Sequence, residues 1–598
     1  MLGFLQSKYH EAREILDEVR RTHPADPTPI PREDGYETIP ESPDLTSPEH
    51  TSHGVAEIEA LATAWSTRTL YIGYVLVFVI FFVNSLQQQT TSSLNPYVYS
   101  AFTDHSLIAT TNVLTSIIGG VSKLPIAKLI DIWGRPEGFS VMVGLCTLGL
   151  VLMALCRNIE TYIAAQVIYW VGYNGMDYVL HVFLSDTTEL LNRGFVYGMA
   201  SFPYVATTFV GPAAAQAFYQ NDALWWGFGT FAILTPLVAA PLLILLWNTR
   251  RKAQSEGLIK GKRTSRSWMH TVIHYAIEFD PIGMTLITAG FVLVLLPLTL
   301  ATSGNNMWGT SLAERWMAPD IIAMIILGVI CVVCFVYWER NGAIVCLIPY
   351  SRLKDPTLLG ACILACALFL SFYCWDLYFS SYLQVVFDTN IRNTGYIFNI
   401  YTIGTCIVSL PVGILIRKLG RFKSPALAAM PLMFLGTGLM IPFRSPTSHI
   451  GYVIACEILK AIAGGTLVIC HQIAGLATGN HETVAVSFAL VGLGSKIGSG
   501  IGAAISGAIW TSTVPKYLER YLPPDRKDKA AELYGSLAKV LEYPIGTPER
   551  DAVIAAYGVA QKRMLVVGLG VLPLAVVGIC MWRDLQLKRV QQVRGNVF

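Results

Sequence analysis

The sequence predicts an all-α integral membrane protein of about fourteen transmembrane helices, and three observations predict it. Of 598 residues, 53% are hydrophobic and only 14% are charged, where soluble domains carry about 25%. Mean hydropathy is +0.49, too apolar for a chain that must hide its side chains in water. Apolar runs of about 20 residues recur along the chain, the length that crosses ~30 Å of hydrocarbon as a helix.

The elements follow in order. Residues 1–21 are charged and amphipathic, with no cleavable signal, and 22–64 carry Pro24, Pro27, Pro29, Pro31, Pro40, Pro43 and Pro48 among polar residues. Such a segment cannot bury a core, so 1–65 reads as a largely disordered cytosolic tail. Apolar runs near 69–90, 106–130, 138–156, 160–183, 195–218 and 223–247 make a six-helix block over 66–247. A basic linker, 248–280, leads to an inserted pair over 281–340, with runs near 281–301 and 319–338. Five further runs, near 357–380, 394–416, 425–442, 450–472 and 483–510, fill 341–510. A loop over 511–563, rich in proline and with a helical stretch near Asp528–Leu541, reads as a cap over an outer vestibule; a last run at 564–582 and a short tail complete the chain.

Orientation comes from basic residues. With the N-terminus in the cytosol, the inner loops and tail hold roughly 20 Lys and Arg and the short outer loops only Arg157, Arg315, Arg392 and Arg444, the bias expected for a cytosolic face. An even number of spans returns both termini to that side. The net charge of +3 gives no case for nucleic acid. The twelve cysteines lie mostly inside apolar runs, where a thiol acts as a small apolar group. Cys331 and Cys334 form a lone CxxC in an apolar setting, which does not make a metal or redox site.

The turn after the second span reads Asp131-Ile132-Trp133-Gly134-Arg135, and the turn after the tenth reads Arg417-Lys418-Leu419-Gly420-Arg421. Glycine permits a tight reversal, and Asp131 and Arg135 can pair with each other or with neighbouring helix ends. The repeated pair resembles the cytosolic motif in each half of the major facilitator superfamily, although Ala127 replaces its first glycine and Arg417 its acidic residue. The resemblance implies two six-helix bundles related by a repeat, spans 7 and 8 being the insertion. It also implies a substrate site near the midplane between the bundles, with Asp131, Gly134, Arg135, Gly420 and Arg421 in the cytosolic gating motif.

Ionisable residues within spans are costly, at least ~2.5–3.5 kcal/mol each at the bilayer centre, and each is a site candidate by default. Asp177 lies on span 4 with His181 one turn on, Asp376 near the outer end of span 9, Glu457 and Lys460 on span 12, and Lys496 on span 13. On the repeat map Asp177, Asp376 and Glu457 fall on helices 4, 7 and 10 of a twelve-helix core, positions that line the central cavity in the superfamily this sequence resembles, and a carboxylate there is suited to carry a proton. Plainer readings stand beside this one. Glu457 and Lys460 can form an i,i+3 ion pair, Asp376 can sit in vestibule water, Lys123 can snorkel to the cytosol, and His181 and His471 can face cytosolic water. Gly492–Gly507 carries small residues at near four-residue spacing, which reads as close helix packing.

No P-loop is present, so an ion gradient is the economical drive. Three stretches, Leu180–Arg193, Tyr373–Val386 and Ala503–Pro515, are similar to those of fungal siderophore-iron transporters, as is the long loop before the last span. The resemblance implies proton-coupled import of an intact ferric siderophore at the plasma membrane or in endosomal vesicles, by a monomer, with no resident cofactor and with iron as cargo. Among the span residues, proton coupling is expected on Asp177, Glu457 and His181, and substrate binding on Asp376, Tyr373, Tyr378, Tyr382, Lys460 and Lys496. The alternatives are a fourteen-span proton-coupled drug exporter of the same superfamily and a transport-inactive receptor.

Overall fold

The computed structural model describes residues 67–102, 107–188, 190–255, 277, 279–300, 317–343, 354–478 and 484–587. The expected tail, most of the basic linker and the C-terminal end lie outside the described residues. The first bundle comprises α1 Thr67–Ala101, α2 Leu107–Val121, α3 Lys123–Ile132, α4 Arg135–Leu155, α5 Ile159–Asp186, α6 Leu190–Ser201, α7 Pro203–Gln220 and α8 Trp226–Ser255. The inserted pair is α9 Pro281–Leu300 and α10 Pro319–Asn341. The second bundle comprises α11 Pro356–Asp376, α12 Phe379–Phe387, α13 Ile391–Phe398, α14 Ile400–Leu419, α15 Lys423–Phe443, α16 Ile450–Ala477, α17 Val484–Tyr521, the short α18 Ala530–Gly535 and α19 Leu537–Leu541, and α20 Pro548–Cys580.

Among the described residues, eleven helical stretches are long and apolar enough to cross a bilayer by length and composition. Three of the fourteen expected runs fall outside that measure. The apolar run of α5 is interrupted by Gln166, Asn174, Asp177 and His181, α6 and α7 are divided before Pro203, and the apolar stretch of α9 is the short Pro281–Pro297. The division at Pro203 has a local cause, because proline removes a backbone donor and constrains the residue before it.

Helix α4 packs on α5, α11 between α17 and α20, and α16 between α14 and α15. The bundles meet where α2 crosses α17 and where α6 and α7 meet α14 and α13. Of the inserted pair, α9 lies against both α2 and α17 and carries α10 on its far side. The faces of α10 left open are apolar: Ile322, Ile326, Leu327, Ile330, Val333 and Val336 are exposed, which suits contact with acyl chains.

The segment 511–563 departs from the expected loop. Helix α17 runs to Tyr521, with Pro515 inside it, and α20 already begins at Pro548. Thr547 caps α20 and proline occupies its first turn, the position where a missing N–H costs nothing. What remains between them folds as a 3-10 turn, Pro524–Lys529, and the helices α18 and α19, which bury Leu533, Leu537 and Val540. Arg550, itself fully buried, ties this cap to α12: it donates to Gln384 O (2.9 Å) and Val385 O (2.9 Å) on one side and to Val540 O (3.0 Å) on the other.

Candidate transport site between the two bundles

Two groups of charged side chains occupy the interior. The first straddles the bundles. Asp177 on α5 keeps 36% of its side-chain surface exposed although it lies mid-helix, so open space adjoins it. Lys123 of α3 and Lys496 of α17 are half-buried beside it and within electrostatic range of its carboxylate. His181 accompanies it, with Nδ1 2.8 Å from Asp177 O and 3.5 Å from its carboxylate. The histidine ring packs edge-on to Phe81 and Tyr197. Lys496 also lies 5.6 Å over the Trp170 ring, and Tyr173 and Tyr204 both reach Gln88 Oε1 (2.8 and 2.7 Å).

The second group is enclosed within the second bundle. Lys460 Nζ lies 3.0 Å, and Arg444 Nη2 3.4 Å, from the same oxygen, Glu457 Oε1, and all three side chains are at most 1% exposed. Arg444 further donates to Gln561 Oε1 (2.9 Å) and to Trp375 O (3.3 Å), and its guanidinium stacks 3.7 Å from the Phe379 ring. Lys460 Nζ sits 3.3 Å from the Trp375 ring centroid. Asp376, 7% exposed, adds a second acid within electrostatic range. Two cations thus face two carboxylates where the α11–α12 chain breaks, and the carbonyl of Trp375 beside that break is taken by Arg444. A buried pair of this kind contributes little net stability while complete, but removing one partner strands the other.

The bundles touch at both ends. At the end bearing the Gly-Arg turns, Gly194 of α6 approaches Gly413 of α14 so closely that a Cβ on Gly413 would lie 2.6 Å from Gly194 O. At the other end Tyr97 hydrogen-bonds Gln384, Arg392 N donates to Gln216 Oε1 (3.2 Å), Phe209 meets Tyr396, and Leu537 N of the cap donates to Ser100 Oγ (3.3 Å). Asp177, Lys496, Tyr204, Tyr373 and Tyr401, all half-buried, lie between these two closures.

The repeated turns behave as the spacing predicts. Gly134 (φ 111°) and Gly420 (φ 68°) both adopt the positive φ that glycine tolerates. Arg135, 3% exposed, pairs with Asp186 at the end of α5 (3.0 Å) and donates to Ile130 O (2.9 Å), so its partner is a neighbouring helix end. The Asp131 side chain lies outside the described residues. In the second copy Arg421 pairs with Asp584 at 3.0 Å, both half exposed.

Several expectations are revised by this geometry. Arg444, counted among outer-loop residues, is fully buried; it follows the last residue of α15, and only the folded neighbours of that position reveal its role. Glu457 and Lys460 do form their i,i+3 pair, with Arg444 as a third member. His471 is 2% exposed and hydrogen-bonds Leu467 O (3.0 Å) instead of facing water. Tyr378 stacks on Trp510 (4.0 Å, 4°) and Tyr382 is 0% exposed, so both are enclosed in this conformation, while Tyr373 stays half-buried. The glycines of α17 pack as the small-residue spacing suggests: a Cβ on Gly494 would lie 2.8 Å from Cys362 O, and one on Gly502 2.6 Å from Leu370 O, both on α11.

The model of the Major Facilitator Superfamily matches residues 77–503. MFS siderochrome iron transporter 1 of Ajellomyces capsulatus is 46% identical over 546 residues, 91% of either chain. MFS siderochrome iron transporter D of Aspergillus fumigatus is 40% identical over 96% of this chain and 93% of its own. Siderophore iron transporter mirB of Emericella nidulans is 38% identical over 92% and 90%. Among solved structures, a bacterial homologue of the human lysosomal transporter Spinster, inward-facing and unoccupied, superposes with a TM-score of 0.51 at 14% identity, covering 86% of this chain and 98% of that one.

Proposed function

Because the chain belongs to the siderophore-iron transporter family of the major facilitator superfamily, we propose that it imports intact ferric siderophores by proton symport, its two bundles rocking about a central site. The relatives' names support siderophores as the cargo class, and the family is one of transporters, not enzymes. Asp177 carries the mechanistic part of the reading: a mid-helix carboxylate with open space beside it, facing a lysine from each bundle. Such a group can exchange with the space beside it, whereas a fully enclosed one cannot exchange with either side.

In this scheme Asp177, with His181, takes the proton, and Glu457 responds through its partners Lys460 and Arg444. Tyr373 and Lys496 contact the chelate in the closed state, and Asp376, Lys460, Tyr378 and Tyr382 join them when α12 moves. Iron remains cargo, held by siderophore oxygens, and the protein needs no cofactor. The protein acts as a monomer at the plasma membrane or in endosomes, with both termini in the cytosol.

The test is uptake of a panel of radio-iron siderophores by cells expressing the chain, with and without a protonophore. At least one complex should accumulate, and the protonophore should abolish accumulation. Uptake of none, or net efflux of preloaded complexes, would favour an exporter; accumulation indifferent to the protonophore would remove proton symport.

A further inference from the structure

Each Gly-Arg turn holds the end of its bundle's last helix, but with opposite charge. In the first bundle Glu137, two residues after Arg135, pairs with Arg250 near the end of α8, and Arg135 takes Asp186 at the end of α5. In the second, the residue two places after Arg421 is Lys423, and its Nζ donates to the carbonyls of Cys580 (3.2 Å) and Trp582, at and just past the end of α20. A helix C-terminus carries unsatisfied carbonyls and the negative end of its dipole, so an ammonium serves there as a carboxylate serves beside Arg250. The two turns share the contact with its charges inverted.

The chain just past α20 adds further contacts to the second turn. Trp582, 2% exposed, sets its ring against Phe422 (5.5 Å, 62°) and into the space left by Gly360 of α11, where a Cβ would lie 2.8 Å from Trp582 Cδ1. Arg583 N donates to the hydroxyl of Thr357 in the first turn of α11 (3.1 Å). Asp584 pairs with Arg421 (3.0 Å). Leu587, 1% exposed, donates its N–H to Gly420 O (2.9 Å), the carbonyl of the positive-φ residue that caps α14. The Arg421 and Asp584 side chains are each nearly half exposed, whereas those of Arg135 and Asp186 are 3% and 4% exposed. An exposed pair contributes little alone, so the buried Trp582 and Leu587 carry the attachment.

We propose that residues 582–587 form a strap that fastens the start of α11, the α14–α15 turn and the end of α20 into one cytosolic block, Asp584 serving Arg421 as Asp186 serves Arg135. The segment that follows the last span is then a working part of the second bundle and travels with it. The first bundle needs no such piece, because α5 itself ends in the carboxylate that Arg135 takes. The strap acts whatever the cargo, and it holds elements that are far apart in the chain: Thr357, Gly420 and Leu587 are brought together only through it.

Amide hydrogen exchange, read by mass spectrometry on the full-length chain in lipid nanodiscs, tests the strap without cargo, so its failure is distinct from failure of the uptake panel. Leu587→Asp puts a carboxylate in a buried apolar slot and should speed exchange by roughly tenfold or more in the α14–α15 turn, the end of α20 and the start of α11 together, as one cooperative unit. The α3–α4 turn of the first bundle should keep its wild-type rate. Leu587→Ala should give the same pattern with a smaller acceleration, which keeps the test readable if the aspartate loosens the whole chain. Asp584→Arg sets two cations together and should speed the α14–α15 turn roughly threefold, the scale of an exposed ion pair. Arg421→Asp combined with Asp584→Arg should return that turn to the wild-type rate. Acceleration confined to the residues after α20 in both Leu587 variants, or a charge-exchanged pair no slower than Asp584→Arg alone, would overturn the strap.

Discussion

Arg444 holds a full charge with about 1% of its surface exposed, and its environment explains how: a carboxylate, an amide oxygen, a backbone carbonyl and two aromatic faces surround it. Removing a partner from such a set leaves a stranded charge, at a cost of about 3–5 kcal/mol. Arg444→Leu should therefore lower the detergent-solubilised melting temperature sharply, and Arg444→Leu combined with Glu457→Gln and Lys460→Met should recover much of the loss. Equal melting temperatures for Arg444→Leu and wild type would show that the network is not coupled. Asp177 is the opposite case, half exposed to interior space, and its replacement by Asn should leave the melting temperature nearly unchanged. At this scale the sequence shows which spans carry charge, because charges in apolar runs are rare. It does not show their partners: Glu457 and Arg444 are thirteen positions apart and meet only once α15 and α16 pack.

Among elements, the cap between α17 and α20 is anchored unequally. Arg550 binds it to α12 by several hydrogen bonds, whereas the first bundle holds it through the Leu537 N to Ser100 Oγ bond. The cap should move with the second bundle when the outer end opens. Arg550→Ala should free it, seen as faster trypsin cleavage after Arg526 or Lys539 from outside intact cells; an unchanged cleavage rate would mean that other contacts suffice. The proline-rich segment marked a structured excursion, but its helices were shorter and the flanking spans longer than hydropathy indicates. Hydropathy reports where a helix leaves lipid, and α17 and α20 continue as helices beyond that point. At 38 residues α17 spans roughly 57 Å.

For the whole molecule, contacts at both ends enclose the interior polar groups, so the proposed rocking of the bundles requires breaking one set at a time. Cysteines replacing Phe209 and Tyr396, whose rings are 5.5 Å apart across the interface, should let a short bifunctional thiol reagent lock the outer end and stop uptake. A cleavable version of the reagent should permit recovery on reduction. Uptake that persists in fully cross-linked protein would place the entry route elsewhere.

The sequence by itself determined the solvent the chain lives in, the helical class, the two Gly-Arg turns that set the repeat, and the family, since hydropathy, positive-φ glycine and long stretches of similarity are all properties of local sequence. Tertiary structure alone decided that Arg444 belongs with Glu457 and that Tyr378 and Tyr382 are shut away in this conformation. Those facts depend on which face each helix turns to a neighbour. Inside lipid the apolar periodicity that reveals such a face in water is absent, because the bilayer side and the protein side are both oily.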